Sequence, residues 1–230
     1  MPPKKFVEFH RISTIQKKEK SDFISLLKNA PKVFWTIGLV QFFSWAAFMY
    51  MWTYTNGAIA SNVWGVTDTS SAAYQEAGNW VGVVFAVQAV GSVCWAVILP
   101  LFKSRKIAYS LSLALGGIGF ISTIFVHEQH LLFLPFFLIG FAWAAMLAMP
   151  FTILTNSISG KNMGTYLGLF NGTICIPQII AALGGGSILH ILGGLQINML
   201  VLAGIFLLIG AICVSFIKET YAELSSKFQS

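Results

Sequence analysis

Apolar residues in this chain come in long unbroken blocks rather than at a strand or amphipathic-helix period. Six stretches, at 33–60, 78–102, 107–126, 131–156, 164–186 and 195–217, contain no aspartate, glutamate, lysine or arginine. About 20 apolar residues in a helix cross a bilayer core, so the pattern predicts an all-α membrane protein with six transmembrane helices. The first 32 residues read as a basic segment, 33–217 as a six-helix bundle and 218–230 as a polar tail. Only 21–30 is amphipathic, with Phe23, Leu26, Leu27 and Ala30 at i, i+3, i+4 and i+7. That spacing predicts a short interfacial helix ahead of Pro31.

Composition agrees with lipid as the solvent. Hydrophobic residues make up 56% of the chain and charged residues 10%, against about 25% charged in a soluble domain. Mean hydropathy is +0.75. The 14 Lys and Arg fall outside the spans: eight precede the first, three lie at 103–106, Lys161 separates the fourth from the fifth, and Lys218 and Lys227 follow the sixth. The loops at 61–77, 127–130 and 187–194 hold only Asp68, Glu76, Glu128 and histidines. By the positive-inside rule both termini are expected in the cytoplasm, with the chain in the inner (plasma) membrane. The net charge of +6 then has the anionic inner leaflet as its counterpart, and no nucleic-acid partner is expected.

Leading into and along the fifth span, glycine stands at 160, 164, 168 and 172, followed by Pro177. An interior glycine costs about 1 kcal/mol and an interior proline about 3 relative to alanine in water. In lipid, apolar surface gives helices no drive to associate, so close packing has to supply it. Gly160, Gly164, Gly168 and Gly172 form a flat stripe that admits a neighbouring backbone, and Pro177 beyond it marks a tolerated kink.

Uncharged polar groups inside spans need a partner or a wet cavity. Span one sets Gln41, Trp45, Phe48, Trp52 and Thr55 along one helical face, flanked by Ser44. Aromatic planes interleaved with amide and hydroxyl groups suit a sugar, whose ring C–H faces stack while its hydroxyls take hydrogen bonds. Helix–helix hydrogen bonding with an interfacial aromatic belt accounts for the same residues. Span two offers Gln88, Ser92 and Trp95, and span five offers Asn171 and Gln178 one heptad apart. Three amide-bearing helices predict a shared polar cavity near mid-membrane.

Other chemistries find little support. Cys94, Cys175 and Cys213 all lie in spans and read as small packing residues rather than a disulfide framework. His127, Glu128 and His130 sit in a short turn without zinc-ligand spacing. The triplet at Asn171 is a glycosylation acceptor by pattern only, since it lies within a span. No nucleophile with a base and no cofactor motif appears, so neither an enzyme nor a cofactor is expected. No span holds the Asp, Glu or His of a proton relay.

Two stretches carry a family resemblance. VQFFSWAAFMYMWTYT (40–55) resembles the seventh helix of the sucrose and maltose proton symporters of the major facilitator superfamily, within the glycoside-pentoside-hexuronide type. MGTYLGLFNGTICIPQ (163–178) resembles that family's tenth helix, and LPLFKSRK (99–106) is similar to its basic loop between helices eight and nine. The resemblance implies the carboxyl-terminal half of such a transporter: six helices in two inverted repeats of three, facing a second six-helix half across a central sugar site. It assigns Gln41, Ser44 and Trp45 to the cavity side of the seventh helix, and Asn171 and Gln178 to that of the tenth. Phe48 and Gln88 join them by spacing alone. Cation-coupled uptake of sucrose, maltose or a related glucoside by alternating access is implied, with the coupling group in the other half. A truncated or accessory protein that packs with a partner without transporting is the alternative.

Overall fold

The computed structural model describes residues 25, 28–157 and 163–217. Six long helices follow in order: α1 (Lys32–Val63), α2 (Ala72–Ile98), α3 (Arg105–Ser122), α4 (Phe133–Ser157), α5 (Met163–Ile191) and α6 (Gln196–Cys213), with no strand among the described residues. With short 3₁₀ turns added at some ends, all six are long and apolar enough to cross a membrane. Of the expected interfacial helix, only Ser25 and 28–30 are described, where Asn29 N–H donates to the Ser25 carbonyl at 3.0 Å. Gly160, Lys161 and the tail from 218 lie outside the described residues.

Several boundaries have a local cause. Ser71 accepts from Tyr74 N–H at the start of α2, and Ser104 from Ile107 N–H at the start of α3, satisfying otherwise orphaned helical donors. Capping lets α2 begin at 72, within the polar run ahead of the apolar block. Gly65 at φ 65° ends α1, and Val66 N–H reaches back to the Ala60 carbonyl at 3.1 Å. Between α5 and α6, Gly193 and Gly194 take φ of 82° and 75°, which any residue with a Cβ resists. At 32 residues α1 runs about 48 Å, longer than a hydrocarbon core of about 30 Å.

Packing is uneven. The most extensive pairings are α1 with α6, α4 with α3, α4 with α2, α3 with α6 and α1 with α5; α5 barely touches α6. Glycines mark the closest crossings. Gly91 of α2 faces the Phe137 carbonyl of α4, and Gly140 of α4 faces the Gln88 carbonyl of α2, so a Cβ at either position collides with backbone. A Cβ on Gly116 would collide with the Ala142 methyl of α4. Polar staples hold both ends. Asn62 donates to the Val126 carbonyl at 2.7 Å and Trp80 Nε1 to the Gln129 carbonyl at 3.1 Å, while at the other end Lys106 Nζ donates to the Ser215 carbonyl at 3.1 Å and Ser110 to the Ala211 carbonyl at 2.9 Å.

The glycine stripe on α5 is not where this packing happens. A Cβ on Gly164 or Gly168 meets nothing within 4 Å, and one on Gly172 meets only Ile176 of the same helix. From Gly164 to Gly172 the stripe therefore seats no helix among the described residues. Its buried face is a different one, Tyr166, Phe170, Pro177 and Ala181, turned toward α1. Pro177 thus sits in a packed position while α5 continues through it. Cys94 and Cys175 are likewise exposed, contrary to a packing role, and only Cys213 is buried.

Candidate functional site

The four α1 candidates are all inside the bundle. Gln41, Ser44 and Phe48 are at most 1% exposed and Trp45 is 7% exposed. Ser44 Oγ spends its proton on the Val40 carbonyl of its own helix at 2.9 Å, as Thr55 does on Met51 at 2.6 Å. Gln41 Oε1 and Trp45 Nε1 have no hydrogen-bond partner among the described residues. A buried orphan of this kind costs about 1–3 kcal/mol. Two of them one helical turn apart leave unmet hydrogen-bonding capacity on the α1 face.

The aromatic ladder of α1 is closed by a residue that sequence reading did not single out. Trp143 of α4 meets Trp45 edge-on at 5.9 Å between centroids, Phe48 at 5.1 Å and Trp52 edge-on at 5.7 Å. Phe120 of α3 backs Phe48 at 5.8 Å. Ring quadrupoles favour such tilted and edge contacts. Within this cluster only Trp52, 43% exposed, and the half-buried Trp143 leave ring surface open. The available signal was the lone tryptophan among alanines at 142–145.

Gln88 lies on the covered side of α2. It shares the buried face of Val84, Gly91 and Trp95, which packs on α4. There Trp95 stacks on Phe141 at 4.2 Å, and its Nε1 donates to Ser112 Oγ of α3 at 2.7 Å. Ser112 passes its own proton to the Ala108 carbonyl at 2.6 Å. The polar face of α2 is thus engaged with its neighbours.

On α5 the two amides part company. Asn171 is exposed, and the half-buried Gln178 donates from Nε2 to the Ile174 carbonyl of its own helix at 3.1 Å. The mid-span amides thus differ in environment: Gln41 and Gln88 are buried, Gln178 is half-buried and Asn171 is exposed. A cavity of about 590 Å³ between α1 and α5 is lined by Phe34, Trp35, Gly168, Gly172, Thr173 and Ile176, and is almost wholly apolar. Another of about 150 Å³, lined by Ser61, Thr67, Thr69, Tyr74 and Gln196, sits at the opposite end of the bundle from Lys103. None of the seven predicted sugar contacts lines either.

The histidines of the α3–α4 connection serve the fold. His127 Nδ1 lies 3.1 Å from the Asn62 carbonyl, a bond that needs the Nδ1–H tautomer, and His130 stands 3.8 Å from Glu128 while its ring meets Trp80. Asp68 holds the loop after α1: Ser70 donates to its Oδ1 from the hydroxyl at 2.7 Å and from the backbone at 2.9 Å. These two bonds lower the Asp68 pKa from the ordinary carboxylate value.

Compared with known proteins, the sequence matches no family model and no curated protein.

Proposed function

We propose that this chain is one six-helix half of a secondary active sugar transporter of the sucrose and maltose symporter type in the major facilitator superfamily. It works by alternating access against a second six-helix bundle. The pairing of helices supports an inverted repeat. Exchanging α1–α3 with α4–α6 turns the α1/α6 pair into α4/α3 and the α1/α5 pair into α4/α2, and returns α3/α6 to itself; all five pairs are among the extensive ones. On this reading α5, fifth in order from a seventh helix, takes the eleventh position of the whole transporter and not the tenth.

One observation carries the proposal: α2 and α5, mates under that exchange, are also the two helices their own bundle leaves least covered. Only 22% and 17% of their most apolar stretches are buried, against 50–61% in the other four. Both expose small residues, Gly82, Ala86 and Ala89 on α2 and Gly164 and Gly168 on α5. Small residues are what close helix contact in lipid requires, so a second bundle seated on α2 and α5 gives the glycine stripe its neighbour. Asn171 and the open parts of Trp52 and Trp143 are the groups that face outward and remain available to a sugar. The coupling ion's group belongs to the second bundle, because no described span interior carries an acid or base.

A second reading, an accessory protein that packs with a partner without transporting, is favoured by the absence of Gln41, Gln88 and Gln178 from the linings of four cavities among the described residues. Co-purification of the tagged chain from its native membrane, followed by vesicle uptake of labelled sucrose and maltose, separates the two. The transporter reading expects a second six-span polypeptide and uptake that needs both chains. A partner recovered without uptake of any glucoside leaves the accessory reading, and recovery of the chain alone, inert in vesicles, overturns both.

A further inference from the structure

A third cavity, of about 470 Å³, opens where the end of α2, the start of α3 and the end of α4 meet. Lys103 and Arg105 stand in its lining, with Thr152 opposite, and Leu99, Phe102 and Met149 supply apolar wall. Its size falls within the about 300–1,000 Å³ typical of small-molecule sites. Two cations beside an apolar wall are the complement of an amphiphilic anion. The described carboxylates, Asp68, Glu76 and Glu128, all belong to connections or helix starts at the opposite end of the bundle.

Next to the cavity the surface is apolar and exposed. Val97, Ile98 and Leu101 are 73%, 39% and 78% exposed on the last turns of α2 and the turn that follows. A soluble anion has no use for such a margin, whereas acyl chains lie along it. Basic pockets between helix ends on the cytoplasmic side are the sites where phospholipid head groups bind. Arg105 also keeps an interaction of its own within the chain, and its five donors suffice for a second acceptor.

We infer that this cavity is a binding site for an anionic phospholipid, with the head-group phosphate between Lys103 and Arg105 and the acyl chains along the end of α2. The inference rests on the orientation read from the loop charges, which puts this end in the anionic leaflet, and is independent of any sugar. A lipid held here ties the α2–α3 connection to α4, next to the Lys106 staple that ties α3 to α6.

The test is lipid retention by the full-length chain, delipidated in detergent and offered phosphatidylglycerol or phosphatidylcholine, read by native mass spectrometry. Phosphatidylglycerol is expected to be retained roughly tenfold better, the Lys103→Gln/Arg105→Gln pair to remove that preference, and Lys28→Gln/Lys32→Gln, with the same charge change at the start of α1, to keep it. Swapping the cations, Lys103→Arg with Arg105→Lys, restores retention if the variants fold as the parent does. No preference in the parent, a preference that survives Lys103→Gln/Arg105→Gln, or equal loss in the α1 pair overturns the inference. Displacement of the lipid by millimolar inorganic phosphate overturns the lipid assignment in favour of a free-anion site. Uptake assays do not enter, so this result and the transporter reading fail separately.

Discussion

Gly117 of α3 and Gly204 of α6 cross backbone to backbone. A Cβ on Gly117 comes within 2.9 Å of the Gly204 carbonyl oxygen, and one on Gly204 within 2.6 Å of the Gly117 carbonyl oxygen. Neither obstacle is a side chain that can swing aside. Gly117→Ala or Gly204→Ala is therefore expected to cost about 1–3 kcal/mol, the range for overpacking a tight contact, read as a lower melting temperature in detergent.

The α5 stripe predicts the opposite sign. Gly164→Ala and Gly168→Ala place a methyl in open space, so the chain by itself gains up to about 1 kcal/mol of helix propensity each. A bulkier change, Gly168→Leu, is expected to leave the chain's own melting unaltered while lowering recovery of the partner bundle. Loss of stability in the isolated chain from Gly168→Ala contradicts an unpacked stripe.

Trp95 and Ser112 join α2 to α3 through one 2.7 Å hydrogen bond. Because Ser112 also bonds the Ala108 carbonyl, removing the indole N–H strands no buried hydroxyl. Trp95→Phe is expected to cost about 0.5–1.5 kcal/mol from the lost bond plus the smaller ring's lost contact with Phe141. A double-mutant cycle with Ser112→Ala isolates the bond, and a coupling energy of zero rules it out.

Gln41 distinguishes packing from recognition. With Oε1 buried and unpartnered, Gln41→Met removes an orphan acceptor at similar volume. About 1 kcal/mol of added stability is expected in the isolated chain, within the cost of such an orphan. In the assembled transporter sugar affinity is expected to stay unchanged, because Gln41 is 1% exposed and the groups left open to a sugar are Asn171, Trp52 and Trp143. Weakened sugar affinity, measured by calorimetry, instead assigns Gln41 to recognition.

Asp68 carries a pH signature outside the membrane. Ser70 lowers its pKa, the hydroxyl bond contributing most, so the folded value lies below the unfolded one. The linked stabilisation of the loop is present above the ordinary carboxylate pKa and disappears as pH falls through the folded value. Ser70→Ala is expected to return the Asp68 titration toward the ordinary carboxylate range, followed by carboxyl carbon NMR. An unmoved titration removes Ser70 as the cause.

The family resemblance picked out α1 and α5, and both prove to matter to the packing, but not as their polar spacing implied. On α1 the face from Gln41 to Trp52 was read as open to a ligand, and Trp143 of α4 covers most of it. On α5 the glycine stripe was read as a helix seat, and nothing among the described residues sits on Gly164, Gly168 or Gly172. Gln88 and Asn171 look alike as mid-span amides, yet one is covered by α4 and the other is exposed.

What the amino-acid order decided unaided was the number, place and rough length of the six spans and the separation of basic from acidic connections. Those are properties of local segments: transfer into lipid depends on each stretch's own side chains, and loop charge is read within a few residues of the membrane. Only the tertiary structure decided which faces meet, because helices apolar on every side give no amphipathic signal, and lipid and protein interior are nearly equivalent solvents for them. A glycine's spacing makes a flat surface, and whether another backbone lies within 3 Å of it depends on residues as far away in the chain as Gly117 is from Gly204.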